Sequence, residues 1–407
     1  MLRRVASVAI VVLFVASCTS ASPPSGTAGT VEATPTDAAS PVSSSSVASA
    51  TPSPSTLPLA TAMPSPTRTP RLDGVVTSFK LVSPGTGWAE TDHGLLVTRN
   101  DGSSWVDVSP NGDLKTFGLD AIDGQTAFVA TEKTDGGATT ISIWHTTDGG
   151  QTWRSAKLPS VPTPDTSPGG CGCGGLAVLI DAVDPLVVFA DIVVYSGTDS
   201  ESHDVFRSRD GGVTWAALSF GIQAHGSSAD LAIHFLAADT GSILFDERTF
   251  TTRTGWGHWS EYPEPRFGPV RYLDNRHWIM GLTDVFARTV RIAESTDAGR
   301  TWTTHTRTIP ETTNVSVSFV NAMTWIATIE TTSGPPDNKL GPAETWVSPD
   351  AGKTWTFVGK LPTSDTSRSD FIDPSHAWVL TRAGGLATTS DGGATWSAIL
   401  GAPVSGG

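Results

Sequence analysis

The chain has 407 residues, enough for two or three ordinary domains or for one large domain built from repeated small units. A formal charge of -14 lacks the basic footprint that nucleic-acid partners require, which excludes that class. Only 16% of residues are charged, and Gly, Ser, Thr and Trp are plentiful beside 3 Tyr, a balance suited to an all-β protein with many tight turns.

The first segment reads as an export signal, with Arg3 and Arg4 before an apolar run, Val8 to Val15, that is too short to span a bilayer. It ends in Val15-Ala16-Ser17-Cys18, which resembles the lipobox of bacterial lipoproteins. That resemblance implies a signal peptide over residues 1–17, a lipid on Cys18, and a protein held at the cell membrane by its lipid anchor alone, facing the extracytoplasmic side. Residues 18–72 are almost entirely Ser, Thr, Pro and Ala, with too little apolar area to offset the entropy of ordering them. They are expected to form a disordered tether with a root-mean-square span on the order of 40 Å.

From about residue 73 one eight-residue pattern recurs: Ser/Thr, any, Asp, Gly/Ala, Gly, any, Thr/Ser, Trp. It opens as Thr98 to Trp105 with Asn100 at the acidic position, then reads TTDGGQTW (Asp148, Trp153), SRDGGVTW (Asp210, Trp215), STDAGRTW (Asp297, Trp302), SPDAGKTW (Asp350, Trp355) and TSDGGATW (Asp391, Trp396). The tryptophans of successive copies lie 48, 62, 87, 53 and 41 residues apart. The 87 implies a hidden copy, and Thr252 to Trp259 supplies it in worn form, with Thr254 where the acid belongs and Trp259 kept.

Each of these seven boxes is preceded by two short apolar runs separated by a turn, from Phe79–Val82 with Gly87–Ala89 to Phe371–Ile372 with Trp378–Leu380. Each unit therefore reads as strands A, B, C and D, with the box as the C–D turn. One such sheet cannot bury both faces, whereas a closed ring of sheets can, and residues 73–402 are expected to form a seven-bladed β-propeller of four-stranded antiparallel blades. Within a box the carboxylate serves as acceptor for turn amides and a hydroxyl, glycine permits positive φ, and tryptophan covers the hairpin. These acids are thus read as scaffold; calcium-loop spacing is absent, and no metal, cofactor or catalytic residue is assigned.

The boxes resemble the bacterial neuraminidase repeats of the sialidase-like superfamily, which includes sialidases, xyloglucan-degrading glycosidases, sortilin-type receptors and propeller-type photosystem II assembly factors. A sialidase resemblance implies an arginine triad, a Tyr–Glu nucleophile pair, an acid Asp, and a Phe/Tyr-Arg-Ile-Pro stretch before the first blades. That stretch is missing, since the domain opens Val75-Val76-Thr77-Ser78-Phe79-Lys80. Suitable groups concentrate only at Glu261, Tyr262, Glu264, Arg266, Arg271 and Tyr272, which read as a polar connection between blades.

Strand parity places the boxes on one face and the B–C loops and D–A links on the other. The long segments 157–175, 131–140, 195–204 and 330–344 all fall on the face opposite the boxes, so any partner site is expected there. That face carries Gly169-Gly170-Cys171-Gly172-Cys173-Gly174-Gly175, where outside the cytoplasm the two cysteines most simply pair as a disulfide, with a metal or redox role as the alternative; His203, His225 and His234 have no ligand spacing to the pair. The reading is of a non-enzymatic, monomeric binding or assembly module for an unknown protein or cell-surface glycan, nearest in character to the assembly-factor branch. The alternative is a glycoside hydrolase of exo-sialidase or β-glucan/xyloglucan type, with Asp135, Asp199, Glu201 and Asp337 as the loop acids it would have to draw on.

Overall fold

The computed structural model describes residues 63–64, 70–110, 116–135, 138–159, 175–195, 201–218, 232–245, 248–254, 258–264, 267–284, 287–309, 314–330, 341–361 and 366–402. The signal segment with Cys18, nearly all of the tether, and Cys171, Cys173, Asp199, His225, Arg266 and Asp337 lie outside these residues.

Seven antiparallel sheets follow one another along the chain: blade 1 over 76–107, blade 2 over 116–157, blade 3 over 175–218, blade 4 over 232–261, blade 5 over 271–308, blade 6 over 314–360 and blade 7 over 366–401. Every blade is a four-stranded meander in sequence order. The chain is thus a seven-bladed β-propeller, as its repeats imply, and each ring position is filled by a whole blade with no strand exchanged between first and last. Among the described residues, blade 2 alone carries a fifth strand, Met63–Pro64, on its outer edge. The regularity is uneven: blade 4 ends in a two-residue outer strand, Ser260–Glu261, and blade 5 begins with a two-residue inner strand, Arg271–Tyr272.

The blades bury their flat faces on each other through the B strands, which read as near-continuous apolar runs because both of their faces are covered. Trp88, Trp278, Trp325 and Trp378 sit in these strands, fully buried, together with Phe128 and Phe189. Apolar clusters span neighbouring blades, one joining Phe128, Ile141 and Ile143 of blade 2 to Val188, Ala190 and Ile192 of blade 3, another joining Trp378 and Leu386 of blade 7 to Phe79, Leu96 and Trp105 of blade 1.

The boxes build the turns that hold strand D. In blade 2 the Thr146 hydroxyl donates to Asp148 Oδ1 (2.9 Å) and accepts from Gly150 N (2.9 Å), while Asp148 accepts from Thr152 N (2.8 Å) and the Thr152 hydroxyl (2.6 Å). The same set of bonds recurs around Asp210, Asp297, Asp350 and Asp391. In blade 1, Asn100 accepts from Ser104 N (2.9 Å), and its amide reverses the last bond by donating to the Ser104 hydroxyl (2.9 Å). The worn copy keeps Thr252, whose hydroxyl accepts from Thr254 N (3.4 Å), and Trp259, packed edge-on against Phe235.

A second turn series, missed in the sequence, meets the boxes of blades 2, 3, 5, 6 and 7. Asp123, Asp184, Asp274, Asn321 and Asp373 close the A–B turns by accepting from backbone N–H groups two and three residues on. A box amide then donates to the same turn, Gly149 N to Gln125 O (2.8 Å) and Ala351 N to Met323 O (2.8 Å) among them, so the two turns of a blade lock together.

Three box tryptophans reach outward to the preceding blade, whereas Trp215 Nε1 donates to Gly212 O within its own box (3.0 Å). Trp153 Nε1 donates to Val108 O (2.8 Å), Trp355 Nε1 to Thr308 O (3.0 Å), and Trp105 Nε1 to Ile399 O (3.0 Å), the last of these joining blade 1 to blade 7. Removing only the indole N–H, by Trp105→Phe, leaves a carbonyl without its donor and should lower the unfolding free energy by about 1–2 kcal/mol in urea denaturation. Ala351 occupies a left-handed backbone position (φ 57°) that the boxes of blades 2, 3 and 7 fill with glycine. Ala351→Gly should therefore raise stability by about 0.5–1 kcal/mol in the same measurement.

Candidate functional site

The seven inner strands wall a central channel containing two cavities, of about 770 and 450 Å³, that share Pro269, Arg271 and Asp370. Side chains alternate along a strand, so one residue per blade occupies the same level of the wall. One residue per blade at the same register, opposite Trp88, Phe128, Phe189, Ser242, Ile279, Ile326 and Trp378 of the B strands, gives the level Lys80, Asp120, Asp181, His234, Arg271, Ser318 and Asp370 around the ring.

These groups are joined blade to blade. Lys80 Nζ lies 2.7 Å from Asp120 Oδ1, and Asp120 also accepts from Ala121 N (2.9 Å) and from Ala182 N of blade 3 (2.8 Å). Asp181 accepts from Phe235 N of blade 4 (2.6 Å) and faces His234 Nδ1 (3.3 Å). The His234 ring stacks on Tyr272 of blade 5, whose hydroxyl donates to His234 O (3.1 Å). Burial opposes the charge on Lys80, but Asp120 beside it, with Asp370 and Asp181 farther off, outweighs this and holds the ammonium above its ordinary value. Burial pushes the Asp181 carboxyl up, opposed by its bonds to His234 and Phe235, and pushes the Tyr272 phenol up as well.

Chemically, this arrangement binds and orients. Asp120 is saturated by an ammonium and two amides, Glu90 accepts from Gly118 N (3.4 Å), and Asp181 is held by an amide and an imidazole. Arg368 lies over the Phe79 ring (4.9 Å) and pairs with Asp370 (3.8 Å). Arg271 is different: it is exposed in the walls of both cavities and makes no ion pair among the described residues. No group of three or more His, Cys, Asp or Glu side chains that could hold a metal ion occurs among the described residues.

Of the six polar groups that the sequence concentrates around the end of blade 4, the five among the described residues separate in space. Glu261 pairs with Arg248 and Glu264 with Arg291, while Tyr262 is buried with its hydroxyl 3.0 Å from Thr304 Oγ1. Arg271 lines both cavities, and Tyr272 packs on the core with its hydroxyl on His234 O. Asp135 is exposed near the end of the B–C hairpin of blade 2, and Glu201 opens strand C of blade 3. His203 pairs with Asp191 (3.1 Å), both buried inside blade 3, and His234 belongs to the channel level.

The level from Lys80 to Asp370 escaped the sequence reading, although it has a signal there: in most blades the residue sits immediately before the apolar residue that ends strand A. Its partners come from neighbouring blades 38 or more residues away, and a repeat pattern does not reveal which side chains meet.

Opposed pH dependences follow. Burial raises Asp191, with the His203 bond only partly offsetting it, so its contribution to stability is greatest below the ordinary carboxylate value of 3.8 and is lost as pH rises through its elevated folded value. The box acids run the other way. The Thr354 amide and hydroxyl hold Asp350 down to about 2, and that contribution, present above 3.8, is lost as pH falls toward 2. Asp191→Asn should thus flatten the decline in melting temperature above pH 4 while leaving the acid limb in place; parallel curves for variant and parent between pH 4 and 8 contradict this assignment.

No protein-family model matches the chain, and no curated protein does. Among solved structures, one titled as YCF48 bound to a D1 peptide superposes with a TM-score of 0.51 at 17% identity, covering 83% of this chain and 96% of that one. A GH74 enzyme from Niastella koreensis superposes with a TM-score of 0.55 at 16% identity, covering 84% of this chain and 55% of that one, so the chain spans little more than half the enzyme's length. At these identities the likeness is one of fold.

Proposed function

We propose that this chain is a non-enzymatic binding or assembly module, lipid-anchored through Cys18 on the extracytoplasmic side, that presents the face opposite its boxes to a protein or glycan partner. The observation that carries this reading is the division of labour among polar groups. The box acids and the channel acids spend their hydrogen-bonding capacity on the scaffold, whereas Arg271 stands without an ion pair in the channel wall. Connection lengths support it as well: the box turns are uniformly short, while the longest gaps, 158–174, 219–231 and 331–343, all leave the blades on the opposite face.

A fold shared with a protein solved with a bound peptide is consistent with recognition of an extended chain, and a fold shared with a glycosidase keeps the hydrolase reading as the competing outcome. Hydrolysis would need two carboxyl groups free to act as acid and base across a bond. The described channel acids are instead tied to amides and cations.

Two measurements test the proposal. Cys18→Ala should move the protein from the membrane fraction to the soluble fraction of the exporting cell, and retention at the membrane overturns the anchor. The purified chain should release no product from a fluorogenic sialoside or from xyloglucan; turnover of either reverses the ranking of the two functions.

A further inference from the structure

Closure of the ring joins blade 7 to blade 1 without a shared strand. The joint consists of the Trp105 bond to Ile399 O, a bond from Val76 N to Gly384 O (3.0 Å), and packing of Trp378 against Phe79 and Trp105. A propeller that exchanges no strand at this joint depends on such contacts alone.

The chain ahead of blade 1 supplies more. Met63–Pro64 pairs antiparallel with the outer strand of blade 2, Met63 opposite Trp153 and Pro64 opposite Thr152. A few residues later Leu72 O accepts from Gly401 N (3.1 Å) at the end of the outer strand of blade 7, and Val75 N donates to Asp92 Oδ1 (2.9 Å) in blade 1. Eight peptide steps separate Pro64 from Leu72, so these two anchor points lie at most about 28 Å apart.

We infer that the outer edge of blade 2 is a docking edge for the chain's own leading segment, and that Met63–Pro64 on blade 2, with Leu72 on blade 7 and Val75 on blade 1, act as a strap holding those three blades together across the closure. The occupant suits the edge. A fifth strand satisfies backbone groups that an outer strand otherwise leaves to solvent, and Pro64 lacks the N–H that a sixth strand would need.

The test uses the full chain and hydrogen–deuterium exchange read by mass spectrometry. Blade 6, whose sheet holds four strands only, provides the internal reference through its outer strand Thr356–Lys360. In the unaltered protein the amides of Thr152–Lys157 should exchange about ten-fold more slowly than those of Thr356–Lys360. Met63→Pro, which removes the N–H of a residue in the pair, should erase that difference and speed exchange in Ser397–Gly401 across the closure, while Ala60→Pro, outside the paired residues, should change neither. Equal exchange of the two outer strands in the unaltered protein, or protection of Thr152–Lys157 that survives Met63→Pro, overturns the strap.

Discussion

Much of the structure depends on the way a box tryptophan, in blades 1, 2 and 6, bridges one blade to the one before it. A blade of four short strands has two faces to cover and little area of its own, so it is stable only between neighbours. The indole meets both needs at once. Its ring extends the apolar contact between sheets, and its N–H in Trp105, Trp153 and Trp355 reaches a backbone carbonyl just past or within the preceding outer strand. The box carboxylate makes this possible by fixing the turn from which the tryptophan projects, and the A–B turn anchors the box in its own blade. Carboxylate, turn and indole thus act in series, and at the ring's closure the same device joins the last blade to the first.

Short strands are not confined to the worn box. Blade 4 has lost the box acid and its outer strand is two residues long, but so is that of blade 1, and the inner strand of blade 5 is two residues long as well. Other contacts carry this sector. Tyr262 packs edge-on against Phe267 and Trp302, Arg291 pairs with Glu264 over the Phe267 ring, and the Asp181–His234–Tyr272 series ties blades 3, 4 and 5 on the channel side. Polar contacts of this kind depend on pH and direction in a way that apolar stacking does not.

The channel and the opposite face therefore differ in character. The channel wall is a polar level whose charges are mostly satisfied between blades, leaving Arg271 as its unpaired cation among the described residues, while the opposite face collects the longest connections. A rigid ring with variable segments gathered on one side can diversify what it binds without disturbing how it folds, because box and indole contacts lie on the other side.

Much of this was written in the order of residues. Local patterns determined the blade count, the four-strand meander, the placement of the worn copy at Trp259, and the structural use of Asp148 and its counterparts, because each concerns groups within a few positions of one another. The tertiary structure alone decided that Lys80 meets Asp120, that Asp120 reaches Ala182, that Glu261 and Arg271 part company although they are neighbours in sequence, and that Met63 lies beside Trp153. Those pairings depend on the angle at which whole sheets stack around an axis, and that angle is set by the summed packing of many side chains, not by any one stretch of chain.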